Sequence, residues 1–367
     1  METESFSGKL KEKPDYTYSL AVNRKFESLD LDKICKGEEK IKPNFHVKYT
    51  GNEGLVSFWV SAKRTRSYPY TRMYHTLSGQ KPKTITIIPV VKDEGKDGDR
   101  DYIQWDTVSI CSYLGIHVIL GYYVNARKNS RYSNKITGQE FDYSYICEKI
   151  KEILKTCPKV KKWNDRQREN IGKLTTKIIS GYEKISRETG VEFHSSDELK
   201  RKLLSREDSD SFKQISQKNS TDAQHRETVT EQPKEQVFGL PKAKVTLSDH
   251  YGGLYSWTVD AYHRKDNTVY LMEMKHAKTG KPKLDDAKDA LLKFHFYGNI
   301  EDFRDNKDKK IIAKPVLVLS SGNLTKKQLE KCDEYDDLRL ECETNNIILV
   351  LAGKDTLKEN IISEIES

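Results

Sequence analysis

The stretch TVDAYHRKDNTVYLMEMKHA, residues 258–277, carries the clearest structural pattern of this chain. Two segments rich in apolar residues flank the polar KDNT, which is typical of a β-hairpin with a short turn. Side chains alternate between the two faces of a strand, so Glu273 and Lys275 share one face and the adjacent methionines the other. Asp260 and Glu273 stand about equally far from the turn. The pattern therefore predicts that Asp260, Glu273 and Lys275 converge at one edge of a sheet.

The tripeptide Glu-x-Lys is weak evidence alone, because this Lys-rich chain contains it at least four times. Only the copy at Glu273 and Lys275 lies in a convincing strand and follows a neighbouring strand that ends in an acid. The simpler interpretation is a surface Glu–Lys pair on a solvent-facing strand of an antiparallel hairpin. The presence of Asp260, and of a helix and an apolar strand after the hairpin, favours a functional site.

Three ionisable groups at one sheet edge indicate a specific chemistry. Two carboxylates held close together repel each other unless a cation lies between them. Hard oxygen ligands with few protein contacts suit Mg²⁺. A protonated lysine cannot bind a metal, but beside a scissile phosphate it can orient or help deprotonate a water and offset developing charge. The cluster therefore indicates metal-assisted hydrolysis of a phosphodiester.

The same residues carry a resemblance to a known family. Asp260, twelve intervening residues and the tripeptide Glu273-Met274-Lys275, followed by a helix and the apolar strand KPVLVLSS, resemble the core motif of the PD-(D/E)xK nucleases. The resemblance implies an α/β, restriction-endonuclease-like mixed sheet flanked by helices. It also implies that Asp260 and Glu273 bind Mg²⁺, that Met274 lends its backbone carbonyl, and that Lys275 is the catalytic lysine. One departure is Val259, which stands where the family motif has proline.

The close resemblance covers roughly residues 255–321. The segments DDAKDALLKFHFYGNI and IIPVVKDEGKDGDRDYIQWDTVSICSYLGIHVILGYY are also similar to parts of bacterial or viral restriction endonucleases. This resemblance implies a type II restriction enzyme that cuts double-stranded DNA at a specific site. A homodimer is expected, because two active centres are needed to cut both strands and a symmetric dimer matches a palindromic target.

Chain length and a polar stretch predict two domains. At 367 residues the chain exceeds the usual single domain. Residues 205–236 contain too few apolar side chains to offset the entropy of ordering, so we expect a flexible linker or long loop. It divides an N-terminal α/β region with a helical end, residues 1–204, from the nuclease-like core, residues 237–367. We expect Asp285 or Asp286 to be the N-cap of the helix after the hairpin.

The N-terminal region carries candidate DNA-contacting residues. Strand, helix and strand patterns over residues 83–124 predict a parallel crossover. The basic and aromatic segment SAKRTRSYPYTRMYH suits either a DNA-contacting loop or a solvated hairpin connection. A second basic stretch, YYVNARKNSRYSNK, follows a predicted strand end. The candidate DNA contacts in the two stretches are Lys63, Arg64, Arg66, Tyr68, Arg72, Arg127 and Arg131.

An acidic run is a rival metal site. It spans residues 93–106, and its alternating aspartates begin like a calcium loop, but Val108 stands where such a loop needs glutamate. A loop with acid near a helix N-terminus is the alternative interpretation. The run therefore stands as an alternative metal centre to the pair of Asp260 and Glu273.

Other classes of protein find no support. There is no HExxH, G-x-S-x-G or Gly-rich phosphate loop, so we expect no nucleotide cofactor. The six cysteines lack zinc-site spacing and are expected to be reduced and mostly buried. No apolar run approaches the roughly 20 residues of a membrane span, and no signal-peptide core is present, so a cytoplasmic location, in a bacterial or viral-host cell, is expected.

The net charge of +8 is compatible with a polyanionic partner. The open alternatives to a restriction enzyme are a structure-specific repair or junction nuclease and a non-catalytic nucleic-acid-binding protein.

Overall fold

The computed structural model describes residues 3–22, 24–39, 41–62, 67–77, 83–229 and 239–367. Contacts divide the chain into two compact units. The split unit consists of the two ends of the chain, Met1–Asn23 and Gln217–Ser367, and the central unit is Arg24–Ser216. Helices flank several mixed sheets, which confirms a mixed α/β protein. The division differs from the predicted one, because the first 23 residues belong with the C-terminal part.

The split unit begins with β1 (Glu4–Leu10) and α1 (Ser19–Val22). The central unit follows with this series of elements: β2 (Ser28–Leu29), α2 (Leu31–Lys36), β3 (Asn44–Tyr49), β4 (Asn52–Phe58), α3 (Ser67–Tyr74), β5 (Lys83–Pro89), β6 (Val91–Asp93), β7 (Arg100–Tyr102), α4 (Trp105–Tyr113), β8 (His117–Gly121), β9 (Tyr123–Lys128), β10 (Ile136–Phe141), α5 (Tyr143–Thr156), α6 (Val160–Glu169), α7 (Ile171–Thr189) and α8 (Ser196–Leu204).

The main sheet of the central unit has the order β2-β3-β4-β5-β8. Strands β4, β5 and β8 are parallel, and α4 connects β5 to β8, so the predicted crossover is confirmed. Because β4 and β5 are parallel, a tight hairpin cannot join them. The interpretation of SAKRTRSYPYTRMYH as a loop or hairpin connection is therefore wrong for Ser67–Tyr74, which is the helix α3.

Strands β9 and β10 form a separate two-stranded antiparallel ribbon, here called the basic ribbon. Helix α7 holds its base. A Cβ added at Gly181 would lie 2.3 Å from the carbonyl oxygen of Tyr123, so only glycine allows this close approach. The hydroxyl of Tyr182 donates a hydrogen bond to Gln139 of β10, at 3.0 Å. The basic stretch that follows the predicted strand end thus lies in this ribbon and in the turn between its strands.

Helix α9 (Ser209–Val229) corrects the expectation of a linker or loop over residues 205–236. The boundary between the two units falls within this helix. Its buried positions recur every four residues, which is a helical spacing. They are Phe212, Ser216, Ser220 and Gln224.

The second part of the split unit contains these elements: β11 (Ala243–Ser248), β12 (Leu254–Val259), β13 (Ala261–Lys265), β14 (Thr268–Ala277), α10 (Leu284–Tyr297), β15 (Ile300–Asp305), β16 (Ile312–Ser321), α11 (Lys326–Glu330), a 3₁₀ turn (Asp333–Tyr335), α12 (Asp336–Thr344), β17 (Ile348–Ala352) and α13 (Lys358–Glu366). One sheet has the order β12-β11-β1-β15 and a second has the order β13-β14-β16-β17. Strand β1 lies inside the first sheet, parallel to β11 and antiparallel to β15.

The predicted hairpin is present in a modified form. Strands β13 and β14 pair antiparallel around a turn at Asp266 and Asn267, and β14 pairs parallel with β16. The first arm is broken at Asp260, so β12 pairs with β11 and only β13 pairs with β14. Helix α10 has Lys283 as its N-cap, without a side-chain cap hydrogen bond, and the expected cap residues Asp285 and Asp286 lie in its first turn.

The two faces of the second sheet pack differently. Met272 and Met274 belong to a buried apolar cluster that includes Ile361 and Ile365 of α13. Helix α10 packs against β14 and β16. This arrangement confirms the predicted alternation of side chains along β14, because the charged residues of that strand bind residues of α10.

All six cysteines are free thiols, and three of them are buried. In the part of the chain that the structure describes, no helix is long and apolar enough to cross a membrane.

Candidate active site

Asp260 lies at the bend between β12 and β13. Ala261 pairs with Met272, so Asp260 lies next to the following position of β14, Glu273. The backbone N–H of Met274 donates a hydrogen bond to Asp260 Oδ2, at 2.7 Å. This bond fixes the carboxylate at the edge of β14, where the sequence predicts it.

Strand β14 presents Glu273 and Lys275 toward α10. The residues around Glu273 and Lys275 are mostly apolar or β-branched, which favours a strand. Most of β14 is buried because it lies between β13 and β16. Glu273 is 1% exposed. Glu273 and Lys275 are therefore not an ordinary surface pair on a solvent-facing strand.

Helix α10 adds two residues that the sequence analysis missed. Lys293 Nζ lies 2.7 Å from Glu273 Oε2, and Lys275 Nζ lies 3.2 Å from Asp289 Oδ2. Asp289 and Lys293 are four residues apart, so they share one face of the helix. The available signal was this charged pair within a helix that is otherwise mostly apolar in its centre. Together with Asp260, Glu273 and Lys275 they form what we call the acid–lysine cluster.

The charges of this cluster affect one another. Burial raises the pKa of Glu273 to about 7, the Lys293 ammonium opposes that rise, and the Asp260 charge adds to it. Burial acts to lower the pKa of Lys275, but the Asp289 and Glu273 carboxylates outweigh burial and raise it above the ordinary value. Burial likewise opposes charge on Lys293, yet the Glu273 carboxylate holds the pKa of Lys293 well above its usual range. Both lysines are therefore ammonium groups at neutral pH.

Asp260 and Glu273 suit a hard divalent cation. Glu273 Oε1 is buried and has no hydrogen-bond partner among the described residues. A buried carboxylate oxygen without a partner is costly, and a cation would satisfy it. Mg²⁺ commonly takes one or two protein carboxylates and keeps several waters, so this pair is a sufficient set of ligands. The side chains of Lys275 and Lys293 are 19% and 22% exposed, so solvent reaches the cluster beside the sealed Glu273.

Five candidate DNA contacts lie in or near α3, and the structure describes two of them, Tyr68 and Arg72. Lys63, Arg64 and Arg66 lie outside the described residues. Tyr68 lies in the first turn of α3. Arg72, in the last turn of α3, donates a hydrogen bond to the carbonyl of Phe58 at 3.0 Å, which is a contact within the fold.

Arg127 and Arg131 belong to the basic ribbon and are both exposed. The tip between its strands is an ordered turn, because Asn129 Oδ1 accepts hydrogen bonds from the N–H groups of Arg131 and Tyr132, at 2.8 and 3.1 Å. Tyr132 is 59% exposed. Arginine and tyrosine therefore lie together on an exposed, hydrogen-bonded tip.

The aspartates of the acidic run over residues 93–106 form hydrogen bonds with separate partners. Asp93 is buried and accepts hydrogen bonds from the N–H of Gly95 and from His194. Asp101 accepts a hydrogen bond from Ser61, and Asp106 accepts one from Ser216. Among the described residues, no three His, Cys, Asp or Glu side chains are grouped so that they could hold a metal ion.

The fold and the cluster define a mixed α/β protein with two carboxylates and two ammonium groups around a buried glutamate. Comparisons with models of protein families, with curated proteins and with solved structures find no match to this chain.

Proposed function

We propose that this chain is a Mg²⁺-dependent, site-specific double-strand DNA endonuclease of the type II restriction class, with a PD-(D/E)xK-like core in the split unit. The observation that carries the proposal is the convergence of Asp260, Glu273 and Lys275, with Asp260 hydrogen-bonded to β14 and Glu273 Oε1 without a hydrogen-bond partner in the part of the chain that the structure describes. The order β13-β14-β16-β17, with α10 between β14 and β16 in the chain, supports a restriction-endonuclease-like core.

Each residue of the cluster has a distinct role in this proposal. Asp260 and Glu273 hold Mg²⁺, which supplies a Lewis acid for the scissile phosphate and for a water. Lys275 acts as a charged hydrogen-bond donor, because its raised pKa keeps it protonated. It orients the attacking water and stabilises negative charge that develops on the phosphate oxygens. Asp289 holds the Lys275 ammonium in place through the ion pair at 3.2 Å.

The basic ribbon supplies a candidate DNA contact. The major groove of B-DNA admits a two-stranded β-ribbon, and arginine can bind guanine edges or phosphates. Arg127, Lys128 and Arg131 are exposed on the ribbon and its tip. We assign to the ribbon a share of DNA binding, and to the cluster the cleavage.

Single substitutions in the cluster test the proposal. Asp260→Ala, Glu273→Ala and Lys275→Ala should each reduce Mg²⁺-dependent plasmid cleavage by about 10²–10³-fold or more, because each removes a charge that acts on the transition state. DNA binding, measured by gel shift in Ca²⁺, should change little. The matched controls are Glu301→Ala and Lys307→Ala, which change exposed charges in the same unit. Normal cleavage by the Glu273 variant would end the proposal.

The products of the same digestion identify the class of nuclease. Discrete bands with uniform sequenced ends support a restriction enzyme, whereas nicks or a smear indicate a structure-specific nuclease. No cleavage, and no response of the protein to Mg²⁺, would indicate a non-catalytic DNA-binding protein. A homodimer is part of the proposal, because both strands must be cut. Light scattering should give about twice the chain mass of 42.5 kDa, and a single-chain mass with and without DNA would contradict it.

A further inference from the structure

Lys293 brings an ammonium group to a carboxylate that a metal would also use. Its Nζ lies 2.7 Å from Glu273 Oε2, while Glu273 Oε1 has no hydrogen-bond partner among the described residues. A protonated lysine cannot be a metal ligand, so the two oxygens of Glu273 have different roles. One oxygen is bound by a cation that belongs to the chain, and the other is buried and, among the described residues, has a free coordination position for a second cation.

We propose that the Lys293 ammonium takes the place of a second metal ion, so that the site binds a single divalent cation at Asp260 and Glu273 Oε1. This inference rests on the proposed nuclease function and concerns how its metal site is built. Lys293 is a positioning residue in this inference, because it acts through Glu273 and the metal.

The oxygen atoms of the cluster leave little room for a second ion. In two-metal sites the ions lie about 3.5–4 Å apart, and each needs oxygen ligands. Glu273 Oε2 already binds Lys293, and Asp289 Oδ2 already binds Lys275. Asp260 Oδ2 accepts the N–H of Met274. A second ion that used Glu273 Oε2 or Asp289 Oδ2 would therefore compete with an ammonium group of the chain.

The charges of the cluster balance with one ion. Asp260, Glu273 and Asp289 supply three negative charges when ionised, and the two lysines supply two positive charges. One divalent cation and one scissile phosphodiester then make the centre neutral. A second divalent cation would leave two positive charges uncompensated beside the buried Glu273. The balance therefore favours one metal ion per active centre.

Counting bound Mn²⁺ by electron paramagnetic resonance tests this inference without measuring activity. Mn²⁺ substitutes for Mg²⁺ at oxygen-rich sites, and the signal of the free aqueous ion gives the bound count. The full-length protein should bind one Mn²⁺ per chain, and Glu273→Gln should lose it. The Lys293→Met variant frees Glu273 Oε2 and should bind two Mn²⁺ whose spectrum shows coupling between the ions. Lys293→Arg keeps a cation at this place and should again bind one.

A control and a folding check keep the outcomes distinct. Lys278→Met removes an exposed lysine next to β14 and should leave the count at one. If Lys293→Met does not fold, as judged by circular dichroism, Lys293→Gln keeps a hydrogen-bond donor and removes the charge, and it should also bind two. Two Mn²⁺ in the unmodified protein, or one in a folded neutral variant, would overturn this inference but leave the nuclease proposal standing. No bound Mn²⁺ in the unmodified protein would overturn both.

Discussion

At the scale of residues, the buried ion pairs of the cluster set limits on how the site can be mutated. A buried charge is tolerated when it is paired, and removing one partner of a buried pair typically costs about 3–5 kcal/mol, because the other charge is left uncompensated. Glu273 and Lys293 form such a pair. Glu273→Gln, which keeps an oxygen for the Lys293 ammonium, is therefore a milder probe of metal binding than Glu273→Ala.

The buried residue His295 makes the free energy of unfolding depend on pH. It lies on α10 and accepts or donates a hydrogen bond with Tyr18 through Nδ1 at 2.7 Å, and burial lowers its pKa from 6.5 to about 3. The unfolded chain therefore binds a proton between these pH values and the folded chain does not. Stability from this residue is complete above pH 6.5 and falls as the pH decreases toward 3. Between pH 7.5 and 5.5 the free energy of unfolding should fall by about 1.4 kcal/mol because of His295.

Urea unfolding at the two pH values measures this contribution. The His295→Gln variant cannot titrate at this position, so its free energy of unfolding should decrease less than that of the unmodified protein over the same pH range. The matched control is His225→Gln, which changes an exposed histidine elsewhere in the chain, on α9. Equal pH dependence of the unmodified protein and the His295 variant would contradict the assignment.

The residues of the site were predictable where their signal is local. Asp260, Glu273 and Lys275 follow from strand alternation and from equal distances to one turn, and these are properties of a short segment. Lys293 and Asp289 were not found, because their place in the site depends on how α10 packs on β14. A helical pattern identifies residues on one face, but it does not identify which charges that face will meet.

At the scale of elements, the basic ribbon makes a testable prediction about DNA binding. Arg127→Ala and Arg131→Ala together should weaken binding to duplex DNA, because each removes an exposed positive charge. If both arginines contact phosphates, the slope of log affinity against log salt concentration should become less steep by about 2. Fluorescence anisotropy over a salt series measures both quantities.

A control on the same unit separates the ribbon from general charge effects. Arg187→Ala removes an exposed arginine near the C-terminal end of α7 and should change the affinity and the salt slope less than the ribbon variants do. The ribbon would have no share in DNA binding if the double variant kept the unmodified affinity and slope.

Element types were predicted well where apolar patterns are strong and poorly where buried faces are polar. The crossover β5-α4-β8 and strand β14 have such patterns, and both are present. Helix α9 was interpreted as a linker, because three of the four buried positions found over its described side chains, residues 209–226, are Ser216, Ser220 and Gln224. A hydropathy pattern does not detect a helical face whose buried side chains are serine and glutamine. Gln224, for example, donates a hydrogen bond to the carbonyl of Trp257 at 2.8 Å.

At the scale of the whole molecule, the N-terminal strand β1 completes a sheet of the split unit. Strand β1 occupies an inner position between β11 and β15, so the core predicted for residues 237–367 lacks one of its strands. Pairing between residues more than 200 positions apart leaves no local trace in the sequence. The sequence patterns therefore identified the hairpin and its site but not the strand that completes the neighbouring sheet.

Phe6 gives this pairing a measurable consequence. It is 2% exposed, and its ring lies 5.7 Å from that of Tyr262 on β13 and 5.6 Å from that of Phe303 on β15. Phe6→Ala should lower the stability of the split unit by about 3–5 kcal/mol, because it removes a buried aromatic ring and leaves a cavity. Ser5→Ala, at an exposed position of the same strand, should change it by no more than about 0.5 kcal/mol.

Hydrogen exchange followed by mass spectrometry locates the loss, because it reports the opening free energy of each segment. In the Phe6 variant, amides of β11 and β15 should exchange faster than in the unmodified protein, and in the Ser5 variant they should not. Unchanged protection of β11 and β15 in the Phe6 variant would show that β1 does not stabilise this sheet. Faster exchange of the β13 amides as well would mean that the N-terminal strand supports the β13–β14 hairpin through Tyr262, and with it the position of Asp260, although the two segments are far apart in the sequence.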